Sequence, residues 1–418
     1  MSDSNGSPLS GIDTLVGNGV EAAVRAKHAW RLRRLGWDHA LAPPDNGIWA
    51  TGDPPPREGC ALEVLVDGAA AFPRIAEAIA NARDHVHVTG WHIAPYFELI
   101  RGERGRAVGE LLAEAAERVD VRVLVWAGAP VPAFHPTRKE VRDAVEELTR
   151  GTRIRCEADP REHPFHCHHE KTVVLDGEVA FVGGIDMTDY AGDRFDVSDH
   201  PARRRLGWHD VGTRLRGPAV KDVHDHFELR WRELTGERLQ RPESPPPAGE
   251  HTVQVVRTVA ENMYEALPTG DFRVLESYLR AIRSAERFVY LENQFLWAPE
   301  IVSLLGKVGM VDDRWLTIGS ANLNAHSLFN DTEMNVVTDA PDLARDTRLR
   351  LWSEHLGVDV AGEDPSATVD QRWRPIAFEQ LERLRAGAEP THRLIALPGL
   401  SKRSRRLLGP LVGLVDDG

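Results

Sequence analysis

Residues 166–184 read HCHHEKTVVLDGEVAFVGG, and the fold of the chain follows from how this stretch is parsed. Val173, Val174 and Leu175 form a continuous apolar run, which predicts a buried strand. Asp176-Gly177 is a two-residue hairpin signal, and 178–182 reads as the returning strand. Alternation puts His169 and Lys171 on one face, their heads about 7 Å apart along the strand and able to converge on one anion. The pattern His169-x-Lys171-x4-Asp176, seven residues ahead of Gly183-Gly184, reads as chemistry rather than as scattered core residues.

Working outward, 62–66 reads as a strand, 70–83 as a helix, and 86–88 as a strand ending at Thr89-Gly90-Trp91-His92. A helix (108–118), strand (121–126), helix (139–149) and strand (153–158) follow. Strands alternating with helices of this length indicate βαβ units and a sheet with helices on its faces. After the hairpin come Trp208-His209-Asp210-Val211 and a helix over 218–234 closed by Gly236.

The order then begins again. Residues 78–86 (AIANARDHV) match 281–289 (AIRSAERFV) at an offset of 203, and 252–256 stand where 62–66 stood. Lys171, Asp176 and Gly183 meet Lys307, Asp312 and Gly319 at an offset of 136, and Trp231-x-Glu233 before Gly236 is echoed by Trp352-x-Glu354 before Gly357. Such a duplication predicts two related lobes about a pseudo-twofold axis. The offsets differ by 67 residues, so the second copy lacks a βαβ-sized block from its middle. At the position of His169 it carries Leu305, and the hairpin beyond, MVDDRWLTIGS, survives. The expected architecture is α/β: two lobes, each a mixed sheet flanked by helices. The expected segments are an N-terminal arm leading into the first lobe (1–58), the first lobe (59–236), a Pro-rich linker (237–250), the abbreviated second lobe (251–360) and a tail (361–418).

At 418 residues with 42% hydrophobic and 28% charged content, the chain has the balance of a soluble globular protein. The formal charge of −13 speaks against broad nucleic-acid coating, and there is no aromatic-basic interleaving. Three scattered cysteines, Cys60, Cys156 and Cys167, argue for a reducing compartment. With neither a signal-peptide pattern nor a membrane-spanning run, a cytoplasmic monomer is expected.

Histidine, lysine and aspartate together suit a phosphodiester. A neutral imidazole can attack phosphorus and carry the phosphoryl group, and an ammonium stabilises charge on the non-bridging oxygens. A second imidazole would protonate the leaving alkoxide. No metal is needed, and no cofactor is expected. His163, His166, His168 and His169 lack the carboxylate or thiolate spacing of a zinc site, with Cys167 facing the other way.

Over roughly 60–360 the chain resembles the phospholipase D superfamily of HxKxxxxD phosphodiesterases, which includes cardiolipin synthases and some nucleases. His169, Lys171, Asp176 and Gly183-Gly184 match the first family motif; Lys307, Asp312 and Gly319-Ser320-Ala321-Asn322 match most of the second. The resemblance implies His169 as nucleophile, Lys171 and Lys307 as phosphate ligands, and Asp176 as support for His169, with Asp312 in the matching place. It further implies a substrate-binding set of Asn322, Ser320, Gly184, Glu333 and Asp210, with Glu333 orienting a histidine from behind and Asp210 as its counterpart. Asp186 stands where the family usually has the Asn matched by Asn322, and Leu305 replaces the usual general acid. The implied activity is hydrolysis or phosphatidyl transfer on phospholipids, weakened by Leu305, with His326 considered as a substitute acid. The alternatives are a non-catalytic binder of lipid headgroups and a nuclease of the same fold.

Trp231 and Trp352 read as core anchors, and Glu292-Asn293-Gln294 as a strand-end cluster beside the cleft. Residues 401–415 join Lys402, Arg403, Arg405 and Arg406 to leucines and valines, a pattern that fits a tail touching an anionic membrane peripherally and equally a tail packed on the body with its basic side in water.

Overall fold

The computed structural model describes residues 8–43, 47–130, 134–161, 166–190, 209–240, 242–296, 298–301 and 312–396. Among these, the strands in chain order are β1 Arg57–Val66, β2 His85–Gly90, β3 Glu98–Ile100, β4 Arg106–Ala107, β5 Asp120–Trp126, β6 Arg155–Asp159, β7 Lys171–Leu175, β8 Val179–Gly183, β9 Val211–Arg216, β10 His251–Val259, β11 Asp271–Phe272, β12 Leu316–Gly319 and β13 Glu333–Thr338. The helices used below are α1 Pro8–Leu35, α2 Gly68–Asn81, α3 Val108–Ala116, α4 Arg138–Thr149, α5 Val220–Thr235, α6 Arg273–Arg283, α7 Ala325–Phe329 and α8 Pro341–Leu356.

The strands of both copies join in one sheet, ordered β12-β13-β10-β1-β9-β8-β7-β2-β5-β6. Its centre is the antiparallel pair β1–β10, with β9 and β13 as the outer neighbours of each and β8 and β12 beyond. That symmetric order is compatible with the duplication expected from the 203-residue offset. In the first copy the sheet continues through β7 and β2 into the parallel pairs β2–β5 and β5–β6. In the second copy the described residues contain no strand outside β12, and residues 288–292, the counterpart of β2, are irregular.

The hairpin forms as its sequence predicts. Asp176 (φ +54°) and Gly177 (φ +65°) are both left-handed, and β7 pairs with β8 from Lys171↔Gly183 to Leu175↔Val179. Both copies end in a sixteen-residue helix, α5 and α8, capped by left-handed Gly236 and Gly357. Trp231 and Trp352 are buried in those helices as core anchors.

The N-terminal segment departs from the expected arm. Residues 8–35 are helical, and Leu32 enters the core of the second copy with Val256, Phe272 and Phe329. Arg31 donates to Glu261 and to Asn330 Oδ1, and His28 Nδ1 meets Glu300 at 2.9 Å. The helix therefore covers apolar surface of the abbreviated copy rather than leading into the first. Among the described residues, no helix is long and apolar enough to cross a membrane. Residues 401–415, expected to touch a membrane, lie outside the described residues, as do Trp208 and His163.

Candidate active site

β7 begins at Lys171, so His169 sits in the extended segment just before it. The second copy holds that segment. His169 N donates to Thr332 O at 2.9 Å, Thr332 N donates to Cys167 O at 3.1 Å, and His168 bridges Thr332. The His169 ring is held from the same side. Its Nδ1 lies 3.1 Å from Ser320 O and 3.1 and 3.2 Å from the two oxygens of Glu333, which is fully buried at the start of β13. The Ser320 hydroxyl donates to Glu333 and accepts from Met334 N at 3.2 Å. These acceptors assign the proton to Nδ1 and leave the lone pair on Nε2.

Lys171 is buried, and its Nζ donates to His169 O at 2.6 Å. It pairs with Asp186 Oδ2 at 3.2 Å, while Asp186 Oδ1 accepts from Trp91 N at 3.2 Å. His169, Lys171, Gly184, Asp186, Ser320 and Asn322 line one cleft of about 440 Å³, with Asp210 and the Glu292-Asn293-Gln294 run on the same wall. Asn293 lies in an irregular run rather than at a strand end, and its Oδ1 accepts from Leu323 N at 2.9 Å. Asp186 competes with any bound anion for Lys171. Asp186→Asn removes that competing charge, and inorganic phosphate or vanadate is expected to bind about tenfold tighter by calorimetry.

Gly184 is required by a close approach. A Cβ built there would lie 2.2 Å from Asp210 Oδ1. Gly184→Ala must therefore displace the Asp210 side chain, and a loss of about 1–3 kcal/mol in urea unfolding is expected.

Several sequence-based expectations need correction. Asp176 does not support His169. It sits at the far end of β7, where its carboxylate accepts from the N–H groups of Arg83, Asp84 and His85 at 2.8–3.1 Å. Asp312 does the same in the second copy, accepting from Glu286 N and Phe288 N at 2.9 Å. Arg83 and His85 match Glu286 and Phe288 at the same offset of 203, so both aspartates are duplicated structural clamps, not reacting groups. Glu333 does stand behind His169, as the resemblance implies, but it is no part of the cleft wall and so leaves the substrate-binding set. Lys307 and Leu305 lie outside the described residues. His326, considered as a substitute acid, turns its Nδ1 onto His166 Nδ1 at 2.9 Å, beside Asp331.

Two features carry no sequence signal beyond residue type. One is a buried charge network beneath the His169 segment. Arg230 on α5 binds Glu170 and, at 3.0 Å, Asp159; His168 Nε2 is 3.3 Å from Asp159 and His226 Nε2 is 2.9 Å from Glu170. Burial alone would raise the Glu170 pKa, but His226 and Arg230 overcome it and hold the carboxyl down at about 2. The alternation of 168 and 170 with 169 is the one legible hint: His168 and Glu170 point away from the cleft into this network.

The other feature flanks Asp210. His209 Nδ1 is 2.9 Å from Asp67 and its Nε2 is 3.6 Å from Glu292, whose other oxygen is 2.7 Å from His355 Nε2. Burial lowers the His209 pKa, yet hydrogen bonds to Asp67 and Glu292 outweigh it and raise the pKa to about 10. Because the folded pKa exceeds the unfolded one, near 6.5, this stabilisation is complete below about pH 6.5 and is lost as pH rises toward 10. His209→Gln is expected to flatten the decline in urea midpoint between those pH values.

Similarity to known proteins spans both copies. The family model for phospholipase D matches residues 78–207, and the model for the cardiolipin synthase, PLD-like domain matches residues 275–353. Phospholipase D A of Dictyostelium discoideum is 29% identical over 286 residues, covering 57% of this chain and 22% of that protein. Phospholipase D alpha 4 of Arabidopsis thaliana is 29% identical over 285 residues, covering 53% of this chain and 37% of that protein. The chain thus spans well under half the length of these relatives. Among solved structures, the phosphatidylserine synthase of Haemophilus influenzae Rd KW20 aligns over 80% of this chain and 95% of its own, at 12% identity and a TM-score of 0.46.

Proposed function

The chain belongs to the phospholipase D superfamily, and from that premise we propose that it is a phosphodiesterase acting on phospholipids through a phosphohistidine on His169. The observation that carries this reading is the clamp on the His169 ring: Glu333 and Ser320 O hold Nδ1, so Nε2 is the nitrogen left for the cleft. Nε2 attacks phosphorus, the P–N bond forms, and the bond to the leaving alcohol oxygen breaks. As positive charge develops on the imidazolium, the Glu333 carboxylate balances it. Lys171 lies within reach of the equatorial oxygens, and water or an acceptor alcohol then displaces the phosphoryl group, restoring the imidazole. Asn322 on the cleft wall completes the described part of the proposed anion site.

The leaving alkoxide needs a proton, and Leu305 stands where the family pattern places the donating imidazole. Acid assistance is typically worth about 10²–10⁴-fold, and p-nitrophenolate leaves with little of it. Bis-p-nitrophenyl phosphate is therefore expected to turn over at least about a hundredfold faster than phosphatidylcholine. A mass-spectrometric quench should find a phosphoryl adduct on His169. Leu305 also favours a second reading, a headgroup-binding protein without turnover. Phospholipid binding with no adduct and no release of p-nitrophenol would establish that reading instead.

A further inference from the structure

At the start of β2, His85 and His87 point to the sheet face covered by α5, and His224 of α5 meets them there. Their ring centroids lie 4.3 Å (His85–His87), 5.1 Å (His85–His224) and 5.3 Å (His87–His224) apart. All three are buried, at 6%, 3% and 0% exposure. One ring nitrogen from each falls within 4.8 Å of the others. Among the described residues, His85 Nε2 and both ring nitrogens of His87 have no hydrogen-bond partner. A folded chain rarely buries polar nitrogens in this state unless another group satisfies them.

We propose that His85, His87 and His224 form a binding site for a borderline divalent transition-metal ion, zinc first. Three neutral imidazoles suit zinc and not magnesium or calcium, which take oxygen ligands. Outer partners of the kind such sites use are present. Asp84 Oδ2 lies 2.8 Å from His85 Nδ1, which fixes that ring's proton on Nδ1 and turns the Nε2 lone pair inward. Asp120 Oδ2 stands 3.9 Å from His87 Nε2, offering a carboxylate to balance the ion's charge. Asp84 and Asp120 side chains are 81% and 44% exposed, which marks the side from which an ion enters. The ion would pin α5 to β2, at the opposite end of β2 from Trp91 and the cleft. It is independent of the phosphodiesterase reading.

The test uses the full chain. Protein purified without chelator is expected to hold about one zinc per chain, and its zinc X-ray absorption spectrum should show at least three imidazoles and no sulfur. Removing zinc with phenanthroline should lower Tm, and adding zinc back should restore it. His87→Phe keeps a ring stacked on Phe227, 4.5 Å away in the present structure, and should weaken zinc binding at least a hundredfold. His326→Ala, in the separate His166–His326–Asp331 group, should leave zinc affinity unchanged. Protein that takes up no zinc at micromolar concentration overturns the proposal, as does a spectrum with fewer than three imidazoles. Zinc kept by His87→Phe but lost by His326→Ala overturns it too. The spectrum of the unmutated protein decides the matter even where the variants fail to fold.

Discussion

His169→Ala is expected to remove turnover of bis-p-nitrophenyl phosphate by at least about 10⁴-fold, because it deletes the imidazole whose Nδ1 is anchored by Glu333 and Ser320 O and whose Nε2 is left to attack phosphorus. Glu333→Gln is the more discriminating partner experiment. The amide keeps the shape behind the ring but loses the charge that balances the imidazolium, and it can donate rather than accept toward Nδ1. A fall in kcat of about 10²–10⁴-fold with little change in KM is expected, since substrate does not touch Glu333. Equal losses in binding and turnover would instead mean that Glu333 shapes the cleft. Stopped assays at saturating and limiting substrate separate the two.

Arg230→Met is expected to cost about 3–5 kcal/mol in urea unfolding, although the residue lies outside the cleft. The substitution leaves Asp159 and Glu170 buried without their shared guanidinium, and the methionine fills its volume without offering a donor. The effect should depend on pH in a defined direction. The folded Glu170 pKa, about 2, lies below its ordinary value of 4.5, so the stability it confers is present above pH 4.5 and lost as pH falls through 2. In Arg230→Met that acid limb should shift upward, so the gap between variant and parent narrows on acidification. Denaturation midpoints measured from pH 7 down to 3 check both the size and the sign. Because Glu170 adjoins His169, a milder loosening at Arg230→Lys should appear as reduced kcat before it appears as unfolding.

The sequence carried the architecture further than it carried the roles of individual side chains. A left-handed Asp-Gly turn between two apolar runs is written in local chemistry, so the hairpin was legible, and the order of strands about the β1–β10 pair is compatible with the repeat read from matched spacings. The acidic members of the two motifs were not legible. Spacing along a strand places Asp176 on the same element as Lys171, but five residues of extended chain carry it to the opposite end of β7, where unpaired backbone N–H groups claim it. Asp312 is taken up by the corresponding groups of the second copy. The packing of α1 on the abbreviated copy depends on contacts between Arg31 and residues some 230 positions away, which no local pattern encodes. The charges of Asp159, Glu170 and Arg230 look like surface residues until the fold brings them together, because pairing rather than residue type decides whether a charge can be buried.

The anchoring of His169 by Thr332, Ser320 and Glu333 separates possession of a motif from possession of a working nucleophile. A gene fragment ending at the proline-rich junction would encode His169, Lys171 and Asp176 intact, yet its imidazole would swing without a fixed tautomer. Fragments of that kind should be inert by themselves and regain function only when the complementary piece is supplied in the same tube.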